Sequence, residues 1–330
     1  MQRVLEFLRR RWHDATSPSQ PPIALYYFDS SRHPNFGDRL NVDLLERLAG
    51  RRVRSARAED ATHVCIGSLL EAFLRRRSSP PRGGPPLAVW GAGFIAAPGR
   101  HPVLRDDALE EFVRPLAIHA VRGRLTLERL RAMGEDVCGT ALGDPGLLAR
   151  LLLPSRPARR RVRLGLVAHY VDEHDPVFAR VRARIPSSRI IRVGEDPIRF
   201  LNRLRECEVV VSSAMHGLIA ADALGIPNLR VRASDQLTGG DYKFHDYYSV
   251  FSVDPPPLSR EALWDLSPAD VARIEGSYAI DTRAVDRVID ALLAACPFAT
   301  NAAEPPHANS PANDSTSTAA GGRLSRNTRP

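Results

Sequence analysis

His216 is the residue of this 330-residue chain that is best placed for proton-transfer chemistry. It lies in the segment Ser212–Gly217, between a predicted strand over Glu208–Val211 and a predicted apolar helix over Leu218–Leu224. The positive end of a helix disfavours imidazolium, so this position predicts a ring near its titration range that can exchange protons. A lone histidine is more often structural, but the small neighbours on both sides leave room here for a ligand.

A second polar cluster follows the first predicted strand, Ile23–Phe28, and precedes a predicted helix over Asp38–Ala49. Gly37 is expected to permit a tight turn, and the Asp38 carboxylate is expected to cap the helix by accepting from free backbone N–H groups. Asn35 has less structural explanation. All three are candidate substrate-binding residues, because ligands of parallel α/β folds bind beyond the carboxyl ends of the strands.

Four small residues at other strand ends are further candidates for substrate binding. Gly91 and Gly93 follow a predicted strand over Leu87–Trp90, and a glycine turn there can bring backbone N–H groups up to an anion. Such turns also often serve only to pack a helix on a sheet. Ser212 and Ser213 offer hydroxyl groups beside the histidine, and the alternative is that they cap the following helix.

Lys243 is the only lysine among the 46 basic residues of the chain. A position that keeps lysine in so arginine-rich a composition indicates a need for a compact ammonium rather than a planar guanidinium. It follows the flexible pair Gly239-Gly240. Its aromatic neighbours, which could exclude water, are Tyr242, Phe244, Tyr247 and Tyr248. The alternative is a solvated lysine on a surface loop.

Short apolar runs that alternate with helical segments predict an α/β fold with parallel sheets. The predicted strands of the first half are Ile23–Phe28, Thr62–Gly67, Leu87–Gly93, Ala117–Val121 and Val137–Leu142. Those of the second half are Arg163–His169, Arg189–Val193, Glu208–Ser212 and Asn228–Val231. Two series in tandem predict two Rossmann-like domains that face a cleft. Ser259 and Ser267 are expected to cap helices that end near Cys296.

The predicted organisation has five segments. Residues 1–19 form an amphipathic helix and linker, 20–155 and 156–258 form the two Rossmann-like domains, 259–298 form C-terminal helices, and 299–330 form a disordered tail. The tail is assigned from its many small and polar residues and its few large apolar ones. The basic N-terminal helix is predicted either to lie on an anionic bilayer or to pack on its own domain.

Composition excludes several classes of protein. The net charge of +8 favours an anionic membrane face or a phosphorylated substrate, since no segment resembles a nucleic-acid-binding module. The four cysteines are widely spaced, which excludes a zinc ribbon or disulfide framework and predicts a reducing, cytoplasmic location. No apolar run approaches the roughly 20 residues of a membrane span. The sequence has no cluster of histidines and cysteines of the kind that binds a metal ion. Asp144 could hold magnesium, but a turn is the preferred interpretation.

Several segments between Ile23 and Phe251 together resemble the polysaccharide pyruvyltransferases, which form pyruvate ketals on sugars from phosphoenolpyruvate. These segments are Asn35-Phe36-Gly37-Asp38, Trp90-Gly91-Ala92-Gly93, Val121-Arg122-Gly123-Arg124, Leu142-Gly143-Asp144-Pro145, Ser212–Pro227 and Asp241–Tyr248. The arrangement is most similar to the branch that decorates bacterial exopolysaccharides of the succinoglycan and xanthan type. The resemblance implies a fold like that of the two-domain GT-B glycosyltransferases.

The resemblance also implies roles for particular residues. His216 matches the histidine proposed as the acid. Arg122 matches a basic position near the donor, and Lys243 matches a basic residue downstream of the histidine segment. Many relatives carry an arginine two residues before the histidine, where this chain has Ala214. Donor charge is then expected to be met by Arg122, by Lys243 or by Arg232.

The expected reaction uses phosphoenolpyruvate as donor substrate and no cofactor. A sugar hydroxyl adds to C2 of the donor as C3 gains a proton, phosphate leaves, and a second hydroxyl closes the ketal. The expected acceptor is a lipid-linked oligosaccharide, and peripheral contact of the protein with the inner face of the cytoplasmic membrane is also expected. Two alternatives stay open: a GT-B glycosyltransferase that uses a nucleotide sugar, and a non-catalytic anion-binding homologue.

Overall fold

The computed structural model of the protein describes residues 21–29, 34–76, 83–100, 110–154 and 158–298. Within these ranges, strands and helices alternate and build two parallel sheets, which confirms the predicted α/β class. The predicted N-terminal helix over 1–19 and the predicted tail over 299–330 lie outside the described residues. No helix in the described ranges is both long enough and apolar enough to cross a membrane.

The first sheet has six parallel strands in the order β2-β1-β3-β5-β7-β8. These strands are β1 (Ile23–Tyr26), β2 (Val53–Ser55), β3 (His63–Val64), β5 (Leu87–Trp90), β7 (Leu116–Val121) and β8 (Ala141–Leu142). A separate antiparallel pair joins β4 (Leu74–Arg76) to β6 (Glu110–Phe112). The helices of this half are α1 (Phe36–Ala49) and α2 (Arg124–Ala132), with 3₁₀ segments over Leu70–Phe73 and Pro145–Leu152.

The second sheet has five parallel strands in the order β10-β9-β11-β12-β13. These strands are β9 (Val162–Ala168), β10 (Ser188–Arg192), β11 (Cys207–Ser212), β12 (Asn228–Arg232) and β13 (Leu258–Ser259). The helices are α3 (Pro176–Arg184), α4 (Pro197–Leu204), α5 (Met215–Ala223), α6 (Tyr242–Tyr248), α7 (Arg260–Trp264), α8 (Pro268–Ser277) and α9 (Thr282–Ala294), with a 3₁₀ turn over Ser249–Phe251.

Both sheets change direction at one point in their strand order. The chain runs from β1 outward to β2 and then returns to the other side of β1 as β3, and it repeats this path with β9, β10 and β11. A crevice opens outside the carboxyl ends of the strands where the order reverses, and ligands of such folds bind there. The loops that follow β1, β3, β9 and β11 are therefore the places to look for a site.

Helix α1 begins differently from the sequence prediction. Asn35, not Asp38, is the N-cap, and its side-chain oxygen accepts from the Gly37 N–H at 3.1 Å. Asn41 is fully buried and exchanges two hydrogen bonds, each 2.9 Å long, with the backbone of Ile66 just beyond β3. The prediction that Asp38 caps the helix was wrong, because Asn35 already satisfies the free backbone donor.

One large apolar core joins elements of both halves of the chain. Phe36 at the start of α1 stacks on Phe200 of α4 with ring centroids 4.1 Å apart. The Trp90 indole N–H at the end of β5 donates to the Leu292 carbonyl of α9 at 3.0 Å. The C-terminal helix therefore returns to pack near the first sheet.

Each predicted strand overlaps an observed strand, and Ser259 and Ser267 cap α7 and α8 as predicted. The sequence did not predict β2, β4, β6 or β13, since two or three residues are too few to show an alternating period. The boundary predicted between residues 258 and 259 falls inside β13.

Candidate functional site

A cavity of about 600 Å³ lies at the carboxyl ends of the strands of both sheets. Its lining includes Asp38 of α1, His169 and Tyr170 beyond β9, His216 of α5 and Lys243 of α6. A concave space of this size, with few polar groups converging on it, is typical of small-molecule sites. The strand-end rule and four of the sequence candidates, Asn35, Asp38, His216 and Lys243, therefore lead to the same place.

His216 lies in the first turn of α5 and is 9% exposed. Its imidazole packs flat against Gly37, where an added Cβ would lie 1.9 Å from Nδ1. Gly37 belongs to the first turn of α1 and has no positive φ, so the predicted tight turn was wrong. The glycine is needed for the close approach of the histidine ring, which brings α1 and α5 together at the cavity.

Burial lowers the pKa of the His216 imidazole to about 3, and the charges of Lys243 and Arg122 add to this decrease. The ring is therefore neutral at neutral pH. The expectation that its place at a helix N-terminus keeps it near its titration range was wrong, because burial also disfavours the imidazolium and lowers the pKa much further.

Asp144 lies directly behind His216, with its Oδ2 3.9 Å from the histidine Nε2. Both atoms are buried and have no hydrogen-bond partner within the described residues. The other carboxylate oxygen caps the 3₁₀ helix by accepting from the Gly146 N–H at 2.8 Å, so the preferred turn interpretation is confirmed. Asp144 therefore both caps this helix and places its second carboxylate oxygen towards His216, which the sequence did not reveal.

Asp38 points into the same cavity from α1, one residue after Gly37. Its side chain is buried, and its carboxylate has no hydrogen-bond partner among the described residues. Burial raises the pKa of the Asp38 carboxyl to about 7, with Lys243 opposing the rise and Asp29 adding to it. A carboxyl group with this pKa can hold or release a proton at neutral pH.

Lys243 lines the cavity from α6 and is the only lysine or arginine among its described lining residues. Burial lowers the pKa of its ammonium to about 8, and the neighbouring Arg122 and Arg230 contribute to that decrease. Phe244 is buried beside it, with the ring centroid 5.6 Å from Nζ. The prediction that the sole lysine belongs to the site, and not to a solvated loop, agrees with this placement.

Arg122 is fully buried at the end of β7, and its guanidinium is bound within the protein. Nε donates to Asp246 at 2.9 Å, Nη1 donates to the Ser68 hydroxyl at 2.6 Å, and Nη2 donates to a backbone carbonyl. An added Cβ at Gly93 would lie 2.5 Å from the guanidinium carbon. The Arg122 guanidinium is therefore not available to bind a donor anion. It links the end of β7 to α6, the helix that carries Lys243.

The buried ion pair between Arg122 and Asp246 gives a stability prediction. Asp246→Ala is expected to lower the free energy of unfolding by about 3–5 kcal/mol, because it leaves a buried guanidinium without its counter-ion. Asp265→Ala is the matched control, since Asp265 pairs with Arg184 at 3.5 Å on the exposed surface, and a loss below about 1 kcal/mol is expected there. Urea denaturation measures both variants, and equal losses would contradict the assignment.

The backbone N–H groups of the candidate anion-binding turn at Gly91 and Gly93 already form hydrogen bonds within the protein. The Gly91 N–H donates to the Ala120 carbonyl at 2.7 Å, and the Gly93 N–H donates to the Gly67 carbonyl at 3.0 Å. Gly91 has a φ of 88°, which favours glycine, and its Cα packs on Pro145. These glycines shape the sheet edge, and their N–H groups are not available to bind substrate.

Ser212 and Ser213 are fully buried and do not line the cavity. The Ser212 hydroxyl accepts from the Ala214 N–H at 3.0 Å, and the Ser213 hydroxyl accepts from the His169 N–H at 2.9 Å. Neither serine is the N-cap of α5, which is Ala214. Their assignment as substrate-binding residues is therefore corrected: they hold the turns that present His169 and His216.

Ala214 does line the cavity and brings no charge to it. Arg232, one expected replacement for the missing arginine, forms an ion pair with Asp241, as does Arg230. Of the three expected cations, Lys243 alone therefore faces the cavity. Within the described ranges, no group of three or more histidine, cysteine or acidic side chains could hold a metal ion.

Sequence reasoning missed His169 and Asp172, and it did not foresee that Asp144 faces His216. His169 lines the cavity beyond β9, and burial lowers its pKa to about 3, with Lys243 contributing. Asp172 is buried, accepts from the Ser234 hydroxyl at 2.5 Å, and acts electrostatically on Lys243. The strand-end position of His169 was a usable signal, whereas the two aspartates are recognisable only from their three-dimensional neighbours.

The two parallel sheets, with a cavity at their carboxyl edges, define a protein of the α/β class. A family model for polysaccharide pyruvyl transferase matches residues 1–235. The chain belongs to this family.

Two curated proteins are similar to the chain. It is 34% identical over 244 residues to the uncharacterized protein L143 of Acanthamoeba polyphaga mimivirus. This alignment covers 70% of this chain and 75% of L143. It is 26% identical over 233 residues to the succinoglycan biosynthesis protein ExoV of Rhizobium meliloti (strain 1021). This alignment covers 70% of this chain and 66% of ExoV. The crystal structure of the uncharacterized protein KP1_0663 from Klebsiella pneumoniae subsp. pneumoniae NTUH-K2044 aligns at 12% identity with a TM-score of 0.37, over 78% of this chain and 98% of that one.

Proposed function

We propose that the protein transfers pyruvate from phosphoenolpyruvate to a polysaccharide sugar and forms a cyclic ketal. Family membership supports transfer of a pyruvyl group. The observation that carries the proposal is the convergence of His216, Asp38 and Lys243 on one cavity. Together these three residues supply a neutral imidazole, a carboxyl group that titrates near neutrality and an ammonium, which match the proton transfers and the anionic donor of this reaction.

The donor carries a carboxylate and a phosphate, so its pocket needs positive charge. Lys243 supplies one full positive charge. The N-termini of α1 and α5 add partial positive charge, and they meet where Gly37 packs on His216. No cofactor is needed in this scheme, because phosphate is the leaving group and the proton transfers use side chains. Lys243 is itself largely buried beside Phe244, and burial strengthens each charge contact that its ammonium makes.

We further propose that the two sheets are two Rossmann-like domains of a GT-B-like fold that face each other across the cavity. The proposed domains are residues 20–155 and 156–258. The supporting observation is that lining residues come from loops after β1 and β3 of one sheet and after β9 and β11 of the other.

The proposed acceptor is a lipid-linked repeat unit of an exopolysaccharide, at the inner face of the cytoplasmic membrane. The similarity to ExoV, a succinoglycan biosynthesis protein, supports an exopolysaccharide. The net charge of +8 supports attraction to an anionic membrane. Because salt screens such attraction, recovery with anionic vesicles should fall as ionic strength rises.

Phosphate release tests the proposed function against its two alternatives. The purified protein is expected to release inorganic phosphate from phosphoenolpyruvate only when an exopolysaccharide repeat-unit acceptor is present. Release of nucleoside diphosphate from a nucleotide sugar, with no reaction of phosphoenolpyruvate, would instead identify a glycosyltransferase. Binding of phosphoenolpyruvate without turnover on any acceptor would identify a non-catalytic homologue.

Lys243 gives a prediction about donor binding. Lys243→Ala is expected to weaken phosphoenolpyruvate binding by about 10- to 100-fold, because it removes a charged hydrogen bond to the anion. Lys243→Arg is expected to restore the charge but not the geometry, since the planar guanidinium is wider than the ammonium. Titration calorimetry and turnover are measured for both variants.

The control for Lys243 is Arg283→Ala, which removes one positive charge from the exposed start of α9. This variant is expected to bind the donor as the wild type does. If both Lys243 variants also match the wild type, the donor is held without Lys243.

A further inference from the structure

We infer that Asp38 donates the proton to C3 of the bound donor and that His216, oriented by Asp144, accepts the proton of the sugar hydroxyl. This inference rests on the proposed function and deepens it. It reverses the role that the family resemblance implied for His216, which was that of the acid.

The first support is the position of Asp38. Gly37 brings α1 against the imidazole of His216, so the next residue along α1 enters the same cavity. Asn35 caps the helix and Asn41 ties it to the backbone beyond β3, so neither task falls to Asp38. A buried carboxyl group with no partner among the described residues is costly for the fold, and such groups concentrate at functional sites.

The second support is the orientation of His216. Its Nε2 is buried and faces Asp144 Oδ2 at 3.9 Å, and the other carboxylate oxygen is already held by the Gly146 N–H. A carboxylate beside Nε2 favours the tautomer that carries its proton on that nitrogen. Nδ1 then keeps its lone pair on the side of the cavity, which makes it a proton acceptor.

The third support is the protonation state of each group at neutral pH. Burial raises the pKa of Asp38 to about 7, so a large fraction of the carboxyl is protonated, while burial lowers the pKa of His216 to about 3. The charged or titratable groups that face this pair are Lys243, Arg122, Asp29, Asp144, His169 and Tyr170. When the surroundings separate the pKa values of two neighbouring groups in this way, the group with the higher pKa is the acid and the group with the lower pKa is the base.

The proton transfers balance over the two steps of the reaction. In the first step, the Asp38 carboxyl protonates C3, the first sugar hydroxyl oxygen bonds to C2, and its proton moves to Nδ1 of His216. In the second step, the second hydroxyl oxygen bonds to C2 as the bond from C2 to the phosphate oxygen breaks. The leaving phosphate takes the proton from His216, and the second hydroxyl proton returns to the Asp38 carboxylate. Both side chains end the cycle as they began.

Asp38→Asn tests the acid assignment, because the amide has nearly the same shape but cannot donate this proton. It is expected to lower kcat by at least about 100-fold while phosphoenolpyruvate binding stays equal to that of the wild type or becomes tighter. Wild-type kcat is expected to fall as pH rises through about 7, since the acid must be protonated, and Asp38→Glu should restore part of the activity. Asp43→Asn is the control, since Asp43 is a half-buried carboxyl group of the same helix that does not line this cavity.

Asp144→Asn tests the positioning of His216. The amide can still accept from the Gly146 N–H, but its N–H₂ group disfavours a proton on Nε2. A kcat loss of at least about 100-fold with unchanged donor affinity is expected, together with a changed tautomer in the nitrogen shifts of the His216 ring. A loss of activity without a tautomer change would overturn this part.

The outcomes separate the inference from the proposed function. Near-wild-type kcat in Asp38→Asn, with transfer from phosphoenolpyruvate by the wild type, would overturn only the inference. No transfer by the wild type would overturn both.

Discussion

His216→Ala is expected to leave a folded protein and to lower pyruvyl transfer by at least about 100-fold, as for loss of a proton-transfer group. The substitution removes the only imidazole that packs on Gly37 and faces Asp144 within the described residues. The fold is expected to tolerate it because His216 makes no hydrogen bond to any described residue. Donor binding should change little, since Lys243 supplies the charge that holds the anion.

His245→Ala is the matched control for this result. His245 lies on the exposed side of α6 and pairs with Asp254 at 2.7 Å, away from the lining of the cavity. It is expected to keep wild-type transfer. Equal activity in both variants would remove His216 from the mechanism, and equal loss would indicate a general effect of histidine replacement.

Gly37→Ala is the second change with a large expected effect. The added methyl carbon would lie 1.9 Å from Nδ1 of His216, so the ring or the start of α1 must move. A displacement of about 1 Å in a catalytic group can cost roughly 100-fold in rate. Transfer is therefore expected to fall by about that factor, although Gly37 itself carries no reactive group. Steady-state kinetics and circular dichroism measure activity and folding in the same preparation.

Gly276→Ala provides the control, because an added Cβ in that part of α8 meets no atom within 4 Å. Alanine is favoured over glycine in a helix by about 1 kcal/mol, so this variant should be slightly more stable and fully active. Full activity in Gly37→Ala would show that the close contact with His216 is not needed for transfer.

The strand ends explain why much of the site could be predicted from the sequence. Parallel strands were recognisable from their apolar runs, and the residues just after them include Asn35, Asp38 and His216. The sole lysine was recognisable from composition alone. These signals are local, and the general rule that ligands bind at carboxyl ends of strands turned them into a common location.

The roles of these residues could not be predicted in the same way. Asn35 caps α1 in place of Asp38, and the sequence did not distinguish them because two residues near one helix start offer the same local chemistry. Arg122 lies at the expected strand end, but its partner Asp246 is distant in sequence, so its buried ion pair was not visible. The neutral state of His216 follows from burial, which the sequence pattern of a helix start does not contain.

The most direct test of the central claim follows labelled pyruvate from donor to acceptor. Isotopically labelled phosphoenolpyruvate is incubated with the purified protein and a repeat-unit oligosaccharide, and the product is examined by mass spectrometry and NMR. The expected product carries the labelled pyruvyl carbons as a ketal on one sugar, with one phosphate released per ketal, and both signals are strongly reduced in His216→Ala. An unlabelled oligosaccharide after complete incubation, or equal labelling by wild type and His216→Ala, would contradict the account.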